Sequence, residues 1–212
     1  ILIKDANVKV GETANDMVPQ VLVKGIPSIY MKDSGLSTLF GDVQIYYSKA
    51  DVVSFLVDNK KAVLNKGDIK KKDIANNYQY TSGETTVYEL TGKDLKDYME
   101  WSAAYFDTVK PGDTEYRYDP VRGASKYMTY DMFGGVKYKI DLREAPGNRI
   151  KDLRLAKGNK KVTDDMKIKV GLNAYRYEML VAKGGPLEGR RVDPVWDSKT
   201  AFGEEEGTIR NM

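Results

Sequence analysis

The sequence predicts an α+β fold: a mixed, largely antiparallel sheet flanked by helices, in a single domain with an extended N-terminal arm. Three observations carry this expectation. Residues 33–47 and 91–106 repeat their apolar side chains at helical spacing. Residues 136–142, 149–155 and 167–172 alternate apolar and polar side chains, as half-buried strands do. The turns between those three stretches, at Pro146-Gly147-Asn148 and Gly158-Asn159, suit consecutive antiparallel strands.

Residues 1–29 lack a regular pattern. Gly11, Pro19, Gly25 and Pro27 punctuate them, and only residues 8–10 and 21–23 read as strand-like. This stretch reads as an arm or interdomain linker, with the domain proper over residues 30–212. From Asp33 the period changes: Leu36, Leu39, Phe40 and Val43 share a helical face, with Asp33 or Ser34 as N-cap. Residues 51–57 then read as a short, mostly buried strand. Residues 58–73 hold six Lys and three Asp around Ala62-Val63-Leu64, which reads as a solvated loop leading into a short helix near residues 69–77. Residues 85–90 form the next strand, where Val87 and Tyr88 favour extended backbone. The clearest helix follows. Thr91 and Asp94 have capping-box spacing, Leu95, Tyr98, Met99, Ser102, Tyr105 and Phe106 form its buried stripe, and Lys93, Lys96, Asp97 and Glu100 lie largely away from it. Pro111-Gly112 stands where stop signals belong. Asn173-Ala174-Tyr175-Arg176 comes directly after the last alternating strand, as a loop at a strand end where ligand contacts commonly sit.

Composition narrows the chemistry. The 212 residues carry 34 Lys+Arg against 31 Asp+Glu, a net charge of +3, which is weak ground for binding a nucleic acid polymer. No apolar run exceeds four residues, so this chain has no transmembrane segment. There is no Cys and no His. A Ser-His-Asp triad, a Cys nucleophile or a typical zinc site therefore cannot be assembled from this chain alone, and no metal site is expected in it. Against these absences stand 15 Tyr, whose rings pair a flat apolar face with a polar tip.

A family resemblance rests on several blocks in a fixed order: Asp42-Val43-Gln44-Ile45-Tyr46-Tyr47-Ser48-Lys49-Ala50-Asp51-Val52, Gly67-Asp68-Ile69, and Asp73-Ile74-Ala75-Asn76-Asn77-Tyr78-Gln79-Tyr80. It continues through Leu90-Thr91-Gly92-Lys93-Asp94-Leu95 to Tyr105, through Tyr130-Asp131-Met132-Phe133-Gly134-Gly135-Val136 to Asp141, and closes on Asn173-Ala174-Tyr175-Arg176. Together they resemble the C-terminal domain of the bacterial 5'-nucleotidases and 2',3'-cyclic-nucleotide phosphodiesterases. The resemblance implies a secreted or cell-surface metallo-nucleotidase that hydrolyses nucleotide phosphoesters. In that family divalent metals sit in an N-terminal metallophosphatase domain of the same polypeptide, and the C-terminal domain holds the nucleotide between two aromatic rings. Carried over by motif, the rings are Tyr80 and Tyr175, with Asn173 and Arg176 flanking the second and Gly134-Gly135 bringing backbone near the base. Two departures accompany it. The segment Tyr80-Thr81-Ser82-Gly83-Glu84-Thr85 is longer than the family's compact version, with Ser82 where an Asn belongs, and Pro186 follows Gly184-Gly185 where relatives carry an acid. The alternative reading is a non-catalytic surface module that binds nucleotides or another small ligand.

Overall fold

The computed structural model describes residues 5–17 and 24–212. The strand-like residues 21–23 lie outside these. Around the described part of the N-terminal stretch, β1 (Lys9–Thr13) pairs antiparallel with β3 (Gly67–Lys70), from Lys9 opposite Lys70 to Thr13 opposite Gly67. The strand β3 falls where the sequence suggested only a solvated loop. Its four residues are charged at alternate positions and none is fully buried, so no core-facing period marks it.

The centre is a five-stranded sheet in the order β5 (Met132–Gly134), β2 (Val52–Phe55), β8 (Lys167–Leu172), β4 (Thr86–Thr91), β9 (Pro194–Asp197). Only β2 and β8 run parallel; the other neighbours are antiparallel. Alternation splits the sheet's side chains between two cores. Val52, Tyr88, Leu90, Ile168, Val170 and Leu172 point to one face, against Leu95, Tyr98 and Met99 of α3 (Gly92–Ala103) and Tyr177 and Leu180 of α5 (Ala174–Val181). Val53, Phe55 and Val87 point to the other, against Leu36 of α1 (Gly35–Ser48) and the aromatic group Tyr105, Phe106 and Tyr130. Both faces are covered, which is why β2 is buried at every position.

The helix starts follow their capping chemistry. Ser34 caps α1 by accepting from the Ser37 backbone N–H, and Thr91 caps α3 in a reciprocal box with Asp94. The short helix α2 (Lys71–Asn77) follows β3, and α4 (Pro120–Gly123) and α6 (Ser198–Phe202) are single turns capped by Asp119 and Asp197.

Three expectations need correction. The three alternating stretches do not form consecutive antiparallel strands. β6 (Val136–Ile140) and β7 (Ile150–Leu155) pair only with each other in a separate ribbon, and β8 crosses to the centre of the main sheet. β8 is buried at each of its last three positions, whereas β6 and β7 keep one face exposed, so β8 suits the covered sheet centre. The Gly92 and Lys93 backbone N–H groups at the start of α3 hold the turn before β8, donating to the carbonyls of Met166 and Asp164 at 2.8 and 3.0 Å. Glu100 does not face solvent. It is 7% exposed, and its carboxylate accepts from the backbone N–H groups of Arg149 and Ile150 at 2.9 and 2.7 Å. Finally, residues 173–176 open a helix, α5, rather than a loop, with Asn173 as its N-cap. Tyr177, Leu180 and Val181 have the helical spacing that announces it.

Candidate functional site

Parallel strands send their carboxyl ends the same way, and the crevice beyond such ends is a common ligand site in open sheets. Here β2 continues into Leu56, Val57 and Asp58, and β8 into Asn173 and α5. Because β5 runs antiparallel to β2 with Met132 opposite Phe55, the residue before β5, Asp131, arrives at this same end.

Asp131 organises the site's floor. It is 3% exposed. Its carboxylate accepts from Arg176 Nε at 2.8 Å and Nη2 at 3.1 Å, a two-point fork. It also accepts from the Tyr98 hydroxyl at 2.5 Å, and Ser54 Oγ lies 2.9 Å from that same hydroxyl. With the Tyr98 proton committed to Asp131, Ser54 is the donor in the second bond. Ser102 Oγ ties the Asp131 backbone at both ends, donating to its carbonyl and accepting from its N–H at 2.8 Å each. Burial, and then the Asp131 charge, push the Tyr98 hydroxyl far above the ordinary tyrosine range. Burial opposes the charge on Arg176, but Asp131 outweighs it and the guanidinium is held above its usual range.

The two rings carried over from the family differ in setting. Tyr80 is 44% exposed and meets Tyr78 edge-on at 5.7 Å, while Tyr78 itself is buried against Phe40. Burial raises the Tyr80 hydroxyl, the Asp58 carboxylate raises it further, and Arg176 pulls it down. Tyr80 thus lies in the field of Arg176 and Asp131, at the same end of the sheet as α5. Tyr175 stands in the first turn of α5 and is 72% exposed. Asn173 is used locally: its Oδ1 accepts from the Tyr175 backbone N–H at 2.9 Å, and its Nδ2 lies 3.5 Å from the Glu84 carbonyl. Arg176 is likewise engaged by the protein, through Asp131 and the Met128 carbonyl.

Gly134 and Gly135 are not brought to this cluster. Gly134 pairs with Val53 and Gly135 lies against the Asp51 carbonyl, at the opposite, amino end of β2. Their small size serves packing under α1. A Cβ on Gly134 would sit 2.9 Å from the Gly41 Cα, and one on Gly135, where φ is +81°, would sit 2.2 Å from the Asp51 carbonyl oxygen.

Several residues of the site were not singled out in the sequence. Asp131 had a signal: an acid flanked by Tyr130, Met132 and Phe133 is destined for burial and needs partners. Arg122 had none. It stacks on the Trp101 ring at 4.5 Å and donates to the Thr129 carbonyl at 2.8 Å and to the Trp101 carbonyl. Burial, then the neighbouring Arg176 charge, lowers it to about 10. Beside the Tyr80 segment a hollow of about 470 Å³ opens, lined by Asn59, Lys61, Asn65, Lys66, Asn77 and Gln79. Among the described residues no group of three or more Asp or Glu is placed to hold a metal ion. With no His or Cys in the chain, these residues do not fit a two-metal centre. The site offers exposed aromatic faces at Tyr80 and Tyr175 and hydrogen-bonding side chains around them.

Comparison with known proteins gives the frame for this geometry. A family model described as the 5'-nucleotidase C-terminal domain matches residues 9–180. No curated protein matches the chain by sequence. Among solved structures, a Staphylococcus aureus protein assigned as a 5'-nucleotidase, in complex with α-ketoglutarate, matches 99% of this chain with a TM-score of 0.75 and 21% identity. A 5'-nucleotidase precursor from Thermus thermophilus matches 99% at a TM-score of 0.64 and 16% identity. The sulfate thiohydrolase of Thermus thermophilus, in complex with glycerol, matches 91% at 0.57 and 13% identity. The chain spans 38%, 37% and 31% of the lengths of these three proteins. At such identities the likeness concerns the fold, and the family is set by the match over residues 9–180. On that match, the chain belongs to the 5'-nucleotidase C-terminal domain family.

Proposed function

We propose that this domain recognises the base and sugar of a nucleotide for a secreted metallo-nucleotidase, and that Tyr80 and Tyr175 hold the base between them. The observation that carries the reading is the exposure of Tyr175. An aromatic ring 72% exposed on the first turn of an anchored helix contributes little to the core, but offers a full face to a planar ligand. Tyr80 supports it by lying half-exposed in the field of Arg176 at the same sheet end. The polar hollow beside Tyr80, rich in amide side chains, suits the hydrogen-bonding edges of a base or sugar. Gly134 and Gly135 have no part in this version of the site.

The test is a nucleoside titration of the wild type and the Tyr80→Ala and Tyr175→Ala variants, with thermal melts alongside. Each alanine is expected to cost about 1–3 kcal/mol of binding, the worth of one stacked base. Tyr→Phe should cost less, since the ring remains. Tyr175→Ala should leave stability within about 0.5 kcal/mol, as exposed substitutions do. Unchanged affinity in both alanine variants would sink the clamp.

In this reading the hydrolytic chemistry belongs to a metallophosphatase domain of the same polypeptide, located outside the cell or on its surface. Residues 1–29 serve as the arm or linker towards that domain, and residues 30–212 as the recognition unit. Among the described residues no helix is long and apolar enough to cross a membrane. Incubated with nucleotides and Mn²⁺, Zn²⁺ or Mg²⁺, this chain is expected to release phosphate at the rate of the blank, because hydrolysis of this type needs a metal-held water. Metal-dependent release that co-purifies with the chain would contradict that. The sulfate thiohydrolase among the structural neighbours shows that the fold alone does not choose the substrate. A non-catalytic module that binds a small planar ligand is the second reading. It rests on the same rings, and the same titration read against a full-length parent separates the two.

A further inference from the structure

The segment that departs from the family, Tyr80-Thr81-Ser82-Gly83-Glu84-Thr85, reaches across to the helix that bears the second ring. Glu84 Oε1 accepts from the Ala174 backbone N–H at 2.9 Å, and the Glu84 carbonyl lies 3.5 Å from Asn173 Nδ2. Gly83, just before it, accepts from the Ile209 N–H at 2.8 Å, and Glu84 itself forms a bridge with Thr208. Thr85 is fixed by the Ser198 hydroxyl at 3.0 Å. The end of this segment is therefore rigidly held, and from it a carboxylate extends to the residue immediately before Tyr175.

We propose that Glu84 is a positioning residue: a strut that sets the placement of the Tyr80 segment relative to Tyr175. The inference rests on the base-clamp reading for its consequence, but not for its geometry. Two physical effects make the contact a good strut. The first N–H groups of a helix have no partner within it, so Glu84 satisfies a donor that Asn173 leaves over. The carboxylate also lies at the positive end of the α5 dipole, where its charge is favoured. The same contact occupies the α5 N-terminus with the protein's own anion. The longer segment, which in the sequence looked only like a departure, supplies the reach that places Glu84 there.

The experiment compares Glu84→Ala with Glu84→Gln, each alone and combined with Tyr175→Ala, by amide hydrogen exchange and by adenosine titration. Glutamine keeps the accepting oxygen and alanine removes it. In Glu84→Ala, exchange in residues 78–84 and 173–177 should rise about tenfold, the scale of one lost helix cap. The amides of β8 should stay at wild-type rates, and Glu84→Gln should restore both segments. Adenosine affinity should fall about five- to tenfold in Glu84→Ala, recover in Glu84→Gln, and show no further loss on the Tyr175→Ala background. Unchanged exchange overturns the strut whatever adenosine does. So does a loss of affinity that is as large without the Tyr175 ring as with it. So does unchanged affinity in Glu84→Ala where Tyr175→Ala lowers it. If adenosine binding ignores both rings, the clamp reading fails by itself, and the exchange rates with their glutamine rescue decide the strut.

Discussion

Replacing Arg149 with alanine is expected to lower the stability of the domain by about 3–5 kcal/mol, from buried acceptors left without a donor and the cavity left by a large side chain. Arg149 is fully buried. Its Nη1 donates to the carbonyls of Ala103 and Phe106 at 2.9 and 2.7 Å, its Nε to the Glu144 carbonyl at 3.0 Å, and its Nη2 to Thr108 Oγ1 at 2.9 Å. The Ala103 carbonyl is one of the orphan acceptors at the end of α3, and a guanidinium there also meets the negative end of the helix dipole. Alanine would leave these acceptors buried without donors and open a cavity the size of the side chain. Lysine would keep the charge, but one ammonium cannot reproduce a planar fork that serves four oxygens. Arg149→Lys should therefore recover less than half of the loss. Urea unfolding at neutral pH measures both. Because a domain is stable by only about 5–15 kcal/mol in total, Arg149→Ala should shift the midpoint visibly or prevent folding. A midpoint within error of wild type would refute the role assigned to this side chain.

The second large effect is expected at Asp131. Asp131→Asn keeps the shape of the side chain but leaves one oxygen to answer Arg176 Nε, Arg176 Nη2 and the Tyr98 hydroxyl. The Asn amide must then point a donor at one of these donors. Arg176, with its side chain 12% exposed, is left with its charge uncompensated. The cost should be about 3–5 kcal/mol. Removing both charges in Asp131→Asn/Arg176→Gln should cost less than the sum of the single changes, since the second substitution relieves the orphaned cation. Unfolding of the single variants and the pair gives the coupling directly. Additive costs would mean that the two side chains do not depend on each other.

How much of this was legible beforehand can be judged residue by residue. The capping signals at Ser34 and Thr91 and the stripe Leu95, Tyr98, Met99 were readable, because they depend on residues within one or two helical turns. Strand β2 was readable because residues 52–57 are apolar except for Ser54 and rich in β-branched side chains, a stretch destined for burial. Strand β3 was not, because its pairing to β1 spans more than fifty residues and leaves no local period. Nor was the burial of Glu100: its polarity placed it outside, and only the Arg149 and Ile150 amides, far along the chain, make a buried carboxylate tolerable there.

For the site, the sequence by itself determined the chemistry on offer. It provided tyrosines in Tyr-x-Tyr and Asn-x-Tyr-Arg blocks, an acid within an apolar run at Asp131, and neither His nor Cys to build a metal centre. Residue types and short spacings are local properties, so they survive in the one-dimensional pattern. Only the tertiary structure decided which of these residues meet. It put Tyr80 in reach of the Arg176 charge and joined the Tyr80 segment to α5 through Glu84. It also sent Gly134 and Gly135 to the far end of β2, where a missing Cβ lets α1 approach the sheet. The cause is pairing over long stretches of chain: β8 inserted between β2 and β4 brings Glu84 to α5, and β5 laid on β2 fixes Gly134 and Gly135. Strand order is set by which buried faces and unpaired backbone groups find partners across long stretches of chain, and that competition is settled only when the whole core assembles.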